Sequence, residues 1–303
     1  MVDSLEYTGE RFTPECVREI WYEHYHRYAL AGRWCRDMRV LDAACGEGYG
    51  AAMLAATAAT VVAVDISAAA ISHAERRYGN QERLEFQVAD CTALSFADNE
   101  FDRVVSFETL EHLYTQDELL AEFRRVLKPD GCLILSSPDK AVYSDQLQAN
   151  NEFHLKELYR DELETLLKRY FPAIRLLGQK LMFHSAIWSM DEVEQVKLDQ
   201  LCSAGSATPH AAGESVTRCI KQAPMYFIAL CAADQTQLPE SDGHLWLFDD
   251  REESVYQHYY GEIKRNMAAG GIIAGLQDEI KVLQQQALVS TPRRISWWRK
   301  LFG

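Results

Sequence analysis

Residues 40–50 read Val40-Leu41-Asp42-Ala43-Ala44-Cys45-Gly46-Glu47-Gly48-Tyr49-Gly50, and an alanine-rich run to Ala56 follows. A short apolar segment that ends in an acid, turns through glycines and enters a helix is a strand–turn–helix unit. Its glycines let the backbone come close to a ligand. A phosphate-binding loop is excluded, because no Gly-Lys-Ser/Thr follows. A pyrophosphate-binding turn is disfavoured, because Asp42 puts a negative charge beside the place the phosphates would take. An acid there suits a cationic amino group instead.

From residue 38 onward strand and helix patterns alternate. The sequence predicts strands over 39–42, 61–65, 84–88, 101–107 and 132–136, and two more over 174–181 and 225–231. It predicts helices over 68–78, with Ser67 as cap, over 116–127 and over 157–169. Lys128-Pro129-Asp130-Gly131 reads as a turn before the fifth strand. The expectation is an α/β fold: a seven-stranded, mostly parallel sheet with helices on both faces. Ligands then belong at the carboxyl ends of the strands.

Three segments are expected: an N-terminal lid over 1–36, a sheet domain over 37–233, and a helical extension over 234–303. The lid is a helical stretch over 15–36 that carries Trp21, Tyr22, Tyr25, Tyr28 and Trp34. Residues 184–222 are an insertion, rich in Ala, Gly and Ser between Ser203 and Ser215, and read as a loop or lid. Residues 252–289 read as a helix with Leu276, Ile280, Leu283 and Ala287 on one face. The heptads are few, so a homo-oligomer contact through this helix and a packed or frayed helix both stay open.

The net charge of −14 argues against a nucleic-acid partner. The eight cysteines (16, 35, 45, 91, 132, 202, 219 and 231) include no Cys-x-x-Cys pair. They read as small reduced residues of a cytoplasmic protein rather than a zinc or disulfide framework. Residues 1–6 have neither the basic nor the apolar part of a secretory signal, and no run is long enough for a membrane span. The end, Arg293-Arg294-Ile295-Ser296-Trp297-Trp298-Arg299-Lys300-Leu301-Phe302, interleaves basic and aromatic residues. That suits peripheral contact with an anionic inner membrane face, and equally a tail lying on its own domain or a disordered end.

Asp42, Asp65 and Asp90 each close a predicted strand, so the fold brings all three to one crevice. Asp65 lies about twenty residues past the glycine turn, the spacing at which an acid meets ribose hydroxyls, and a carboxylate accepts from both hydroxyls of a diol. Together with the 40–50 string these acids resemble class I S-adenosylmethionine (SAM) dependent methyltransferases, over residues 38–182 and the strand near 226. The resemblance implies a Rossmann-like fold with SAM held at Asp42, Ala44, Gly46, Gly48, Asp65, Ile66, Asp90, Cys91 and Phe107. In that family pattern Asp90-Cys91 meets the adenine amino group and Ile66 its face.

After the fourth strand the chain reads Phe107-Glu108-Thr109-Leu110-Glu111-His112-Leu113. Glu108, Glu111 and His112 fall at i, i+3 and i+4, the spacing of one helical face. Carboxylates and imidazole suit Mg²⁺, Mn²⁺ or Zn²⁺, and His154 in Asn151-Glu152-Phe153-His154 is a candidate further ligand. This set resembles the Glu-x-x-Glu-His plus distant His pattern of small-RNA terminal 2′-O-methyltransferases and ubiquinone-pathway O-methyltransferases. There the metal holds substrate oxygens beside the methyl donor. Two other readings stay open. In one, Glu108 touches the methionine part of SAM and His112 is a general base. In the other, Glu111 and His112 are helix-start residues bonded locally.

The stretches Thr8-Gly9-Glu10-Arg11-Phe12-Thr13-Pro14, Glu23-His24-Tyr25-His26-Arg27-Tyr28 and 151–158 resemble a bacterial subgroup associated with surface polysaccharide and O-antigen assembly. Arg11, His24, His26 and Arg27 are therefore lid or substrate candidates. Tyr22, Tyr25 and Tyr143 are candidate platforms for a sugar. The expected function is SAM-dependent O-methylation of a sugar hydroxyl on a glycan, glycolipid or nucleotide sugar. The rivals are methylation of a small quinone, phenol or carboxylate with His112 as base, and a non-catalytic scaffold that recruits glycan-assembly enzymes.

Overall fold

The computed structural model describes residues 19–148, 151–182, 201–202, 214–215, 222–241, 243–248 and 253–290. Two compact units result, 1–248 and 249–303. The N-terminal helix and the residues up to Phe248 belong to the same unit as the sheet, so that unit runs past the expected boundary at 233.

In the first unit α1 (Glu19–Trp34) precedes β1 (Arg39–Ala43), α2 (Tyr49–Ala55), β2 (Thr60–Asp65), α3 (Ala68–Tyr78), β3 (Leu84–Val88) and β4 (Phe101–Ser106). A 3₁₀ turn (Leu110–His112), α4 (Gln116–Val126), β5 (Leu127–Pro138), α5 (Arg160–Lys168) and β6 (Ala173–Gln179) follow. The two-residue strands β7 (Leu201–Cys202) and β8 (Glu214–Ser215) pair with each other, and β9 (Tyr226–Ala232) completes the main sheet. The order is β3-β2-β1-β4-β5-β9-β6. All pairs through β5 are parallel, and β9 runs antiparallel to both β5 and β6. The seven-stranded, mostly parallel Rossmann-like sheet is the one expected.

Side-chain alternation builds its two faces. On β2, Val61 and Ala63 join one core with Tyr28, Leu54 and Ile71, while Val62 and Val64 join the other with Leu119, Phe123 and Leu167. Helices thus cover both faces, which is why these strands read as continuous apolar runs. Ser67 caps α3 through its hydroxyl, which accepts from Ala70 N–H at 3.3 Å.

Two local expectations change. Lys128–Gly131 is no separate turn: β5 starts at Leu127, and four of its residues stand against one of β4, between the pairs Phe101–Leu127 and Arg103–Cys132. Gly131 allows this, because a Cβ there would lie 3.1 Å from the carbonyl oxygens of Asp102 and Lys128. The helix expected over 157–169 starts at Arg160, because the Glu162 carboxylate turns back to accept from Tyr159 N–H at 3.0 Å.

The second unit is α6 (Ser254–Ser290), with Leu276, Ile280 and Leu283 more than half exposed. Among the described residues no helix is long and apolar enough to cross a membrane. Arg11, most of the 184–222 insertion and the 293–302 tail lie outside the described residues.

Candidate active site

The strand order reverses between β1 and β4, and there a cleft of about 390 Å³ opens at the carboxyl ends of the strands. One wall is the turn after β1. Ala44, Gly46 and Gly48 all have positive φ, at 62°, 56° and 89°. The turn is pinned to β2: Cys45 N–H donates to Val64 O at 2.8 Å, and Gly46 N–H to Asp65 Oδ2 at 3.0 Å. Ser67 N–H donates to Asp65 Oδ1 at 2.8 Å, so backbone donors fix both oxygens of that acid. Asp90 is held by Thr92, whose N–H and hydroxyl donate to Oδ1 at 2.8 and 2.7 Å.

Of the nine cofactor residues expected, Ala44, Gly46, Asp65, Ile66, Asp90, Cys91 and Phe107 line this cleft. Asp42 and Gly48 do not. Gly48 serves the turn: a Cβ on it would lie 2.7 Å from both Ala74 and the Phe86 ring. Asp42 is 0% exposed and sits behind Tyr28, whose hydroxyl donates to its Oδ1 at 3.2 Å. Burial pushes the Asp42 carboxyl up to about 7, against the Tyr28 hydrogen bond, which lowers it. Burial also raises the Cys91 thiol to about 12, so it offers no reactive thiolate.

Helix α1 forms the facing wall with Ile20, His24 and Tyr28. His24 Nδ1 lies 3.1 Å from the Tyr49 hydroxyl, and burial, then Arg27, holds its pKa well below the ordinary value. His26 stacks on Phe248, away from the cleft lining. Tyr22 and Tyr25 lie in an aromatic group with Trp21, whereas Tyr143 lines the cleft.

The far end of the cleft differs from the expected single helical face. Glu108 has φ 50° and precedes the 3₁₀ turn. Its Oε1 accepts from Arg27 at 3.2 Å and from the Ser136 hydroxyl at 2.6 Å. Glu108 therefore stands apart from the cluster that does form, in which Glu111, His112 and His154 each bring one ligand atom within 4.8 Å of the others. The segment carrying His154 is tied to the turn: Leu155 and Lys156 N–H donate to Glu111 O at 2.9 and 3.0 Å, and Gln116 Nε2 bridges Leu110 O and Lys156 O.

The donor set fits a divalent metal ion. Glu111 is 0% exposed, and neither of its carboxylate oxygens has a hydrogen-bond partner among the described residues. Burial, then the Glu108 charge, pushes its pKa well above the carboxylate range. An orphaned buried carboxyl is costly without a cation or proton to meet it. His112 Nδ1–H donates to Phe153 O at 2.9 Å, and His154 Nδ1 meets Glu157 Oε1 at 2.5 Å. Nδ1 of each ring is thereby engaged, the kind of support that orients metal-bound histidine. Ser144 donates to Glu157 in turn. Glu157 and Ser144 went unnoticed in the sequence. The His154-x-x-Glu157 spacing was the available signal for the first, and none exists for the second.

Residues 41–135 match the methyltransferase domain family. A probable S-adenosylmethionine-dependent methyltransferase of Mycobacterium tuberculosis is 37% identical over 166 residues, 54% of this chain and 60% of that protein. A demethylmenaquinone methyltransferase of Clavibacter sepedonicus is 40% identical over 97 residues, 32% of this chain and 40% of that protein. The solved YcgJ protein of Bacillus subtilis superposes with a TM-score of 0.46 at 23% identity, over 51% of this chain and 71% of that one. The chain spans about 60% of the length of the curated mycobacterial relatives it matches. The family match over residues 41–135 and the curated relatives support a SAM-dependent methyltransferase.

Proposed function

We propose that this chain is a SAM-dependent O-methyltransferase whose acceptor hydroxyl is held by a divalent metal ion at Glu111, His112 and His154. The observation that carries the reading is the orphaned Glu111 carboxylate beside two imidazoles whose Nδ1 atoms are already engaged. His112 and His154 line the same cleft as Asp65 and Asp90, and Glu111 is buried within ligand reach of both.

SAM supplies an electrophilic methyl group on a sulfonium. Asp65 and Asp90 suit its ribose diol and adenine amine, and Ile66 and Cys91 offer apolar contact. A divalent ion, when bound, supplies Lewis acidity that lowers the pKa of an acceptor hydroxyl. Transfer is then a direct displacement. The acceptor oxygen forms the new O–CH₃ bond, the sulfur keeps the electron pair of the bond that breaks, and the hydroxyl proton leaves to solvent. The chain's part is to hold the two groups in line. Arg27 and Ser136 fix Glu108 in the cleft wall, and Tyr143, stacked on His154 at 5.2 Å, lines the cleft beside the proposed metal ligands.

The favoured acceptor is a sugar, because vicinal hydroxyls chelate a metal and Tyr143, an aromatic platform candidate, lines the cleft. A second reading, methylation of a small phenol or quinone with His112 as base, draws on the same hydrogen bond. Donation from Nδ1 to Phe153 O leaves Nε2 as the basic nitrogen.

Titration of Mn²⁺ into protein loaded with S-adenosylhomocysteine separates them. One-site binding that is lost in Glu111→Gln and His154→Ala supports the metal reading. No binding in the wild type overturns it and leaves His112 as the base.

A further inference from the structure

We infer that Tyr28 is the residue that receives the ammonium group of the cofactor's methionine part, standing between that group and Asp42. The inference rests on the cofactor reading above. Asp42 is the acid expected to meet a cationic amine, but it is 0% exposed and absent from the cleft wall, whereas Tyr28, 5% exposed, is part of that wall.

The chemistry of a phenol decides what Tyr28 can offer. It has a single O–H donor and acceptor lone pairs. The donor is committed: the hydroxyl lies 3.2 Å from Asp42 Oδ1 and 3.5 Å from Oδ2. The acceptor capacity left on that oxygen is what Tyr28, in the cleft wall, has to offer a ligand, reinforced by the Asp42 carboxyl. An ammonium is donor-only and fits. A carboxylate is acceptor-only and does not. The pair thus tells the two ends of an amino acid apart.

The ring is held for this role. It stands edge-on to Phe107, at 4.9 Å and 76°, and to Tyr49, at 5.3 Å and 77°. Gly50 makes room for it, because a Cβ at that position would lie 2.1–2.3 Å from the Tyr28 ring atoms. Phe107 follows β4 and Asp42 lies on β1, so Tyr28 bridges the two strands where the sheet order reverses. Helix α1 therefore supplies a cofactor-binding group rather than only a cover.

The test is calorimetric titration of two ligands: S-adenosylhomocysteine, and its deaminated analogue, which keeps the carboxylate and lacks the amine. Wild type, Tyr28→Phe and Asp42→Asn are compared. Tyr28→Phe keeps the ring and its contacts. It is expected to bind S-adenosylhomocysteine about tenfold more weakly and the deaminated analogue as the wild type does. Asp42→Asn is expected to show a smaller loss, again confined to the ligand with the amine. The inference is overturned if Tyr28→Phe binds S-adenosylhomocysteine as tightly as the wild type, or loses both ligands equally. It is also overturned if Asp42→Asn loses far more than Tyr28→Phe, which would mean direct contact with the acid. Wild type that binds neither ligand would overturn the cofactor reading itself, and this inference with it.

Discussion

The Arg27 guanidinium reaches Glu108 Oε1 at 3.2 Å, with side chains 1% and 17% exposed, and so ties the N-terminal helix to the residue after β4. The guanidinium also lies over the Tyr226 ring, 4.8 Å from its centroid. Breaking such a pair from one side leaves a poorly solvated charge, at a cost of about 3–5 kcal/mol. Arg27→Met is therefore expected to lower unfolding free energy by that order in urea denaturation. Arg27→Met/Glu108→Gln, which removes both charges, is expected to recover most of it. A double variant as unstable as the single one would contradict the pairing.

Glu108 stands outside the metal-type cluster, so Glu108→Gln is expected to keep Mn²⁺ affinity within about threefold of wild type. Glu111→Gln is expected to abolish binding. Glu157→Gln, which removes the partner of His154 Nδ1, is expected to weaken it by about 10–100-fold. Equal losses in Glu108→Gln and Glu111→Gln would return Glu108 to the ligand set.

The buried Asp42 carboxyl makes stability pH-dependent. Its pKa rises from 3.8 to about 7 on folding, through burial first. Between those values the folded state binds a proton that the unfolded state has released. This contribution is therefore favourable at low pH and is lost as pH rises through about 7. Asp42→Asn is expected to be more stable than the wild type by a few kcal/mol at pH 8 and to lose that advantage by pH 4. Denaturant unfolding at the two pH values gives the difference, and an equal effect at both would contradict the burial argument.

Gly46 and Gly48 both need positive φ, but only Gly48 is crowded. Gly46→Ala meets open space and is expected to cost about 1 kcal/mol, from backbone strain alone. Gly48→Ala adds contacts of 2.7 Å with Ala74 and Phe86, and is expected to cost at least twice as much. Thermal unfolding of the two variants decides it.

The strands were legible because β1, β2, β4 and β5 are buried on both faces and read as apolar runs with acids at or near their ends. Lys128–Gly131 was misread as a turn because its Pro-Asp-Gly composition is what turns use, and only the partner strand shows that the residues are absorbed in a bulge. The site divided in the same way. Asp65, Asp90 and the glycine turn follow from local order along each strand. The exclusion of Glu108 from the cluster depends on Arg27, 81 residues away, and on Ser136. A helical-face argument cannot see a left-handed Glu108. Tyr28 read as one aromatic among several on a helix, because its link to Asp42 exists only once α1 lies against β1.

The central claim is that one cleft holds the cofactor and a metal ion side by side. The most direct measurement is proton relaxation of bound S-adenosylhomocysteine as Mn²⁺ is added. The account predicts strong broadening of the homocysteine methylene signals, weaker broadening of the adenine signals, and loss of both effects in His154→Ala. Unbroadened homocysteine signals at saturating Mn²⁺, or broadening that survives in His154→Ala, would contradict it.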